Sequence, residues 1–511
     1  MPWWKSRATR IGLLLLFALA IGWMRAHTYA EPRERDLDIY AWIGHYLLQG
    51  RHLYTDLVDI KPPLPYLLYA LSELGVGFGA AQVFLLGIAS AWATLFGLYW
   101  LGTRARGRPW LGIAAALCWV LLGSDLYLQA NQPNTEVFIN AFSVWAIALL
   151  WGLPRERLAL AQCIGVGVLF ACASLCKTVA IVPAALLLLA HVVFADAATP
   201  RSRAFKQIAI AGAAIGGLWL LTFAWLEISG SAAIAWQILF DYPVEYAQLA
   251  GTDLFGNVLR AFASDHFMPN FFVVQAWLVL ACIAAMLFQL QGDDRALAGR
   301  MLVWMAGVFL AVALPGHAYA HYFQLWLPWL CFAIALAITW AAEAFARARA
   351  IVANALLIAF AALWSALWLW PQYKLGAVEW SLAKYGRQFV DAQALGRELG
   401  EQLKPGQRLF VLDILPGLYA AAGREPPMML NTWLALPRYG GSLSAVFGPP
   451  LLDDLRRQPP DVIVIDNWTW DLAGTGEPIS EWIGAHYRIV GKRYGYSLAV
   501  PATAANAANT P

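Results

Sequence analysis

The chain has 511 residues, 60% of them hydrophobic and only 13% charged, with a mean hydropathy of +0.56. A soluble domain carries about 25% charged residues, so this composition excludes a soluble globular protein, a disordered chain and a disulfide scaffold. A formal charge of +3 and a pI near 8.4 are too mild for a nucleic-acid partner.

The apolar runs are near bilayer length, so the fold class is a polytopic α-helical membrane protein. Eleven spans are predicted, at about 11–28, 81–103, 110–128, 137–153, 158–176, 178–195, 207–228, 270–290, 300–315, 322–342 and 350–370. All six cysteines fall within these runs, leaving none for a disulfide in water. Read as one helix, 158–195 would run about 57 Å against a hydrocarbon core of about 30 Å. The chain therefore turns near Lys177, which sits at an interface.

Orientation follows from the basic residues. One set of connecting loops, from Lys5 to Arg349, holds fifteen, and the opposite set, from Arg25 to Arg260, holds seven. The positive-inside rule puts the first set in the cytoplasm. The amino terminus is then inside and the carboxyl-terminal part outside, in a plasma membrane. The basic start, apolar core and Thr28/Ala30 ahead of Glu31 also fit a cleaved leader. A retained first helix gives the same topology.

The first outer loop, 29–80, is acidic and aromatic. Leu37, Tyr40, Ile43, Gly44, Leu47 and Leu48 recur at helical spacing, which predicts an amphipathic helix lying on the membrane surface. Lys61-Pro62-Pro63-Leu64-Pro65 is stiff and extended, and a short helix at 66–74 returns the chain to the membrane. The second outer loop carries Asn134-Thr135-Glu136. The third, 229–269, interleaves Asp241, Glu245, Asp253 and Asp265 with Trp236, Tyr242, Tyr246 and Phe255.

Domain organisation follows: a transmembrane domain over 1–371, a small extracytoplasmic α/β domain over 372–502, and a disordered tail over 503–511. Arg408–Leu412 and Asp461–Ile465 read as buried strands and 486–500 as an edge hairpin.

Several residues carry candidate chemistry. Asp36 and Asp38 can share a divalent metal, or one can act as general base; capping a helix start is the plainer reading. Lys61 beside Asp59 is either a surface ion pair or a point charge for a phosphate. Glu136 opens a span, where an acid suits the helix dipole as well as a site. His317 and His321 are four apart, as in a helical metal pair, but no third ligand accompanies them and Pro315-Gly316 indicates a loop. Asn467-Trp468-Thr469 matches a glycosylation sequon. These acids, the lysine and the histidine gather on one side of the bundle, at helix ends, which suggests a cavity opening to that side.

In this order the motifs resemble the polyprenyl-phosphate-sugar-dependent glycosyltransferases of the GT-C fold, the glycosyltransferase family 39 type. That group includes the protein O-mannosyltransferases and the aminoarabinose transferase acting on lipid A. The matching residues are Asp36 four before Tyr40, Leu47-Leu48-Gln49-Gly50, Tyr54-Thr55-Asp56, Lys61-Pro62-Pro63-Leu64 and Asn134-Thr135-Glu136. Lys177, His321-Tyr322, Leu418-Tyr419 and Pro459-Pro460-Asp461 follow, so the resemblance covers almost the whole chain.

The resemblance implies a membrane transferase moving a sugar from a polyprenyl-phosphate donor to an acceptor hydroxyl on the extracytoplasmic face, with inversion. It makes Asp36 the catalytic base and gives Lys61, His321, Tyr322 and Lys177 to the carrier phosphate. Glu136 and Tyr40 stand by the acceptor or the base. Many relatives have Asp-Glu where this chain has Asp36-Leu37-Asp38, so the base is Asp36 or Asp38, and a divalent metal on that pair stays open. No other cofactor is implied. The partners are the lipid-linked sugar, the bilayer, and a protein, lipid A, lipopolysaccharide or cell-wall glycan acceptor. The alternatives are a polysaccharide polymerase or ligase, for which arginine-rich outer loops are expected, and a lipid-linked sugar transporter, for which an inverted repeat is expected. The sequence shows neither feature.

Overall fold

The computed structural model describes residues 6–153, 158–195, 200–249, 255–257, 273–317, 319–345, 348–426, 431–473 and 476–503. The predicted tail beyond residue 503, Asp253, Asp265 and Arg260 lie outside them. Each apolar run carries a helix among the described residues. In chain order these are α1 (Arg7–Ala26), the short α2 (Arg35–Leu48) and α3 (Leu64–Val76), α4 (Ala80–Arg106), α5 (Pro109–Leu122), α6 (Thr135–Trp151), α7 (Leu160–Cys176), α8 (Ile181–Val193) and α9 (Arg201–Ile228). There follow α10 (Ala232–Trp236), α11 (Tyr242–Leu249), α12 (Val273–Gln289), α13 (Arg295–Ala313), α14 (Trp326–Glu343) and α15 (Arg349–Trp364).

Six helical stretches are long and apolar enough to cross a membrane: α1, α4, α9, α13, Ala320–Glu343 and Arg349–Gln372. Shorter apolar helices, α5, α6 and α7 among them, lie between these. The chain is a multi-pass membrane protein. α14 is buried on nearly every face and forms the centre of the bundle. α9 and α15 bury only a few small or scattered side chains and turn apolar surface outward, as helices against lipid do. Lys177 is extended, with φ −159°, and breaks α7 from a 3-10 turn at Thr178–Ala180 that leads into α8. The turn inferred from span length is therefore present.

One expectation fails. α2 forms where predicted, with Glu34 capping its start through the Asp36 amide at 3.1 Å. It is not a surface helix, however: Leu37 to Gly44 are all buried, Trp42 included. α3 packs on one side so closely that a Cβ on Gly44 would meet Ala70 N and Tyr66 O at 2.9 Å. The carboxyl-terminal part covers another side. A helix hydrophobic all round belongs in an interior, and Ile39, Ala41 and Trp42 make α2 such a helix.

Beyond residue 372 run α16 (Ala377–Tyr385), α17 (Gln388–Gln402), β1 (Leu409–Leu412), α18 (Pro416–Ala422), α19 (Ser444–Arg457), β2 (Val462–Ile465), α20 (Pro478–His486), β3 (Tyr487–Arg493) and β4 (Tyr496–Pro501). The sheet order is β1-β2-β4-β3. β1 and β2 pair in parallel, Leu409 with Val462 through Leu412 with Ile465, and β4 runs antiparallel to both β2 and β3. Both predicted strands and the edge hairpin are therefore present. Alternation decides the two faces. Val411, Val464 and Leu498 pack with Leu395, Leu399 and Leu418 of α17 and α18. Phe410, Leu412, Ile463 and Ile465 join a core continuous with the helical bundle. The sequon's Thr469 is fully buried, donating to Asp413 Oδ1 (3.2 Å) and accepting from Trp433 Nε1 (3.1 Å).

Candidate active site

A cavity of about 890 Å³ lies between the first turn of α2, the 59–61 loop, the Tyr319–Tyr322 turn and the carboxyl-terminal part. A second cavity, of about 490 Å³, adjoins it and is walled mainly by apolar groups such as Pro62, Val179, Val244 and Leu314. Ile60, Lys61, Tyr246 and Tyr322 line both.

The loop before α3 aims Lys61. Its carbonyl accepts from the Tyr54 hydroxyl (2.7 Å), and its amide lies 3.3 Å from the Tyr66 oxygen. Tyr66 in turn donates to Asp59 Oδ2 (2.8 Å), while Asp59 Oδ1 accepts from Asn431 Nδ2 (3.1 Å). Among the described residues no carboxylate comes within ion-pair distance of the Lys61 ammonium. The ordinary ion pair with Asp59 is thus not formed, and the charge lies where the two cavities meet.

Asp36 lines the larger cavity. One turn along α2, the buried Tyr40 hydroxyl lies 3.4 Å from Asp36 Oδ2 and 3.3 Å from Asn134 Oδ1. Burial pushes the Asp36 carboxyl up, but Lys61 above all, then His321, Arg35 and Lys177, pull it below the usual aspartate value. For Lys61, burial works downward and is outweighed by Asp36, Asp59, Glu136 and Glu34, so its pKa is raised.

Asp38 goes elsewhere. Residues two apart on a helix point to different sides. Asp38 accepts from Arg33 Nε, is 1% exposed, and does not line the cavity. Burial raises its pKa against the pull of Arg33. The pair therefore does not converge on one metal, and of the two aspartates Asp36 alone faces the cavity. Among the described residues no group of three or more His, Cys, Asp or Glu could hold a metal ion. The two histidines do not converge either, since the Tyr319 ring stacks between His317 (5.7 Å) and His321 (5.8 Å).

Glu136 is fully buried in the first turn of α6 and accepts from Lys177 Nζ at 2.8 Å. Lys177 also sits over the Tyr322 ring, 3.2 Å from its centroid. Burial lowers the Lys177 pKa to about 8, with Glu136 opposing. Glu136 is thus committed to Lys177 and absent from the wall of the larger cavity, whereas Lys177 and Tyr322 border the apolar one. His321 and Tyr322 both line the larger cavity.

Sequence reasoning did not place at the site Arg35, whose guanidinium lies 4.7 Å from the Trp433 ring centroid, or Lys384, Asn431 and Asp466. Lys384 meets Glu31 in an ion pair and donates to Asn131 Oδ1 (3.1 Å). These groups lie far apart in sequence and share no spacing that a single chain reveals.

No known family profile and no curated protein sequence matches the chain. Solved structures do. ArnT from Cupriavidus metallidurans, bound to undecaprenyl phosphate, is similar over 97% of this chain and 98% of its own, at 14% identity and a TM-score of 0.62. The Archaeoglobus fulgidus oligosaccharyltransferase tethered to an acceptor peptide is similar over 95% and 73%, at 15% identity and 0.58. AglB of that organism, in complex with an inhibitory peptide and a dolichol-phosphate, is similar over 100% and 75%, at 14% identity and 0.56. The chain therefore has the GT-C fold that its motifs resemble.

Proposed function

We propose that the protein is a membrane glycosyltransferase that moves a sugar from a polyprenyl-phosphate donor to an acceptor hydroxyl, inverting the anomeric carbon. The fold shared with ArnT and AglB, structures bound to undecaprenyl phosphate and dolichol-phosphate, supports the donor class. The carrying observation is Lys61. Its ammonium reaches both cavities, faces Asp36 in the polar one, and lacks a described acid at ion-pair distance.

In this reading the polyprenyl chain lies along the apolar cavity, the phosphate sits at Lys61 with Lys177 and Tyr322 beside it, and the sugar projects toward Asp36. The acceptor oxygen attacks the anomeric carbon as its proton passes to Asp36. The bond from that carbon to the phosphate oxygen breaks, its electron pair stays on the phosphate, and Lys61 stabilises the growing charge. Tyr40 positions Asp36, and the Glu136–Lys177 pair holds the ammonium at the phosphate. Arrival of the phosphate answers part of the Lys61 charge, which releases some of its hold on Asp36 and makes the carboxylate more basic when the donor is bound.

Eleven spans, an amino terminus in the cytoplasm and an extracytoplasmic carboxyl-terminal α/β domain over 372–502 complete the proposal, supported by the loop charges. The test is transfer from a defined polyprenyl-phosphate sugar by wild type, Asp36→Asn and Asp38→Asn, with and without chelator. Asp36→Asn is expected to lose transfer by about 100-fold or more, the range of a lost general base, while still inserting and folding. Asp38→Asn keeps the base, and chelation changes nothing. Full activity in Asp36→Asn rejects the assignment, and loss on chelation restores the metal reading.

A further inference from the structure

We infer that Glu245 is a positioning residue for the lipid carrier: through Ser442 it fastens α11 to the carboxyl-terminal part and so sets the width of the apolar cavity. The inference rests on the transfer reading, whose donor chain lies in that cavity, and names what holds one wall of it in place.

α11 turns Pro243, Val244 and Ala247 to the cavity, which Pro62, Val179 and Leu314 also line. Val244 is nevertheless 60% exposed, so the helix is a rim of the cavity and not an enclosed wall. At eight residues α11 is too short to persist on its own backbone bonds, and it stays where its contacts put it. Beyond the turn that precedes it, α11 packs most extensively on the Gly441–Leu443 turn of the carboxyl-terminal part.

Residues at i, i+3 and i+4 share a helix face, and on α11 these are Tyr242, Glu245 and Tyr246. The Tyr242 hydroxyl donates to the Tyr439 carbonyl at 2.9 Å. The Tyr246 ring lies 5.9 Å from that of Tyr439 and 4.3 Å from that of His317. Glu245 takes two bonds from one residue, Oε2 from the Ser442 amide (2.9 Å) and Oε1 from the Ser442 hydroxyl (2.7 Å). A carboxylate gripped at both oxygens is fixed in direction as well as in distance. Gly441 stands at φ +53°, and a Cβ there would run into Glu245 Oε2, so the turn is shaped to admit the carboxylate. Tyr439 also lines the larger cavity, with its ring 5.0 Å from that of Trp433. The turn at 439–442 therefore shapes both cavities, and the rim of the apolar one is only as fixed as that turn.

The experiment uses the full chain in detergent and measures binding of two probes. One is undecaprenyl phosphate; the other is dimethylallyl phosphate, which keeps the phosphate ester and almost none of the chain. Glu245→Ala is expected to weaken undecaprenyl phosphate about fivefold and to leave dimethylallyl phosphate within about twofold. Ser442→Ala, which spares the amide bond, should fall between wild type and Glu245→Ala. Glu245→Gln should recover most of the loss, because its amide can accept from the Ser442 N–H and donate to a turned Ser442 hydroxyl. Should Glu245→Ala not fold, Ser442→Ala and Glu245→Gln still decide. Equal weakening of the two probes, or none, overturns the inference and leaves the transferase reading standing. A wild type that does not bind undecaprenyl phosphate overturns the donor reading, and this inference with it.

Discussion

Burial pushes the Asp36 carboxyl up, and Lys61 leads the charges that draw it back below the ordinary aspartate range. Whatever neutralises Lys61 therefore makes Asp36 a stronger base. The sign follows for the pH profile. A depressed pKa keeps Asp36 ionised down to acid pH, so activity is lost only as pH falls below the ordinary aspartate range. The acid limb of kcat/KM, which reports free enzyme, should lie below that of kcat, which reports the donor complex. Lys61→Met removes the largest downward influence, so the acid limb of its kcat/KM should move to higher pH while donor KM rises. A profile that does not move in Lys61→Met would show that the two charges are not coupled.

At the scale of elements, the position of Lys61 depends on how α2 lies against α3. Tyr66, on α3, bonds both Asp59 and the Lys61 backbone, and Gly44 lets α2 approach the backbone of that same turn. Gly44→Ala forces the two helices apart, an overpacking that costs about 1–3 kcal/mol. The expected result is a lower thermal midpoint and a raised donor KM. Gly12→Ala in α1 is the control: nothing lies within 4 Å of its Cβ, and alanine in a helix is worth about 0.5–1 kcal/mol over glycine. Equal midpoints in the two variants would show that the α2–α3 contact does not hold the site. The same region marks how far the sequence could be read. The length and start of α2 were legible from spacing and from Asp36, whereas its cap, Glu34, was not. Its burial was not legible from the stripe of Leu37, Tyr40, Ile43, Gly44, Leu47 and Leu48, because Ile39, Ala41 and Trp42, which lie off that stripe, are apolar as well.

Across the whole molecule, legibility followed the solvent. A bilayer core admits no unbonded backbone, so hydropathy located the apolar helices, and Lys177 falls between two of them. The strands β1 and β2 were legible as apolar β-branched runs between turns. The roof of the cavity was not, because it is made by contacts such as Asn131 with Lys384 and Asp59 with Asn431, 253 and 372 residues apart. The strongest of these ties is testable. The Lys384 side chain is fully enclosed, its Glu31 partner is 3% exposed, and Asn131 bridges the two. Removing one charge from such a pair strands the other and costs about 3–5 kcal/mol, whereas replacing both is close to neutral. Lys384→Met should therefore lower the unfolding midpoint in detergent sharply, and Lys384→Met with Glu31→Gln should recover most of the loss. Acceptor KM should follow the same cycle, because the ion pair seats α16, and with it Tyr385, against the loop that carries Asn134 toward Tyr40. A double variant no more stable than Lys384→Met would mean that the carboxyl-terminal part is held over the site by other contacts.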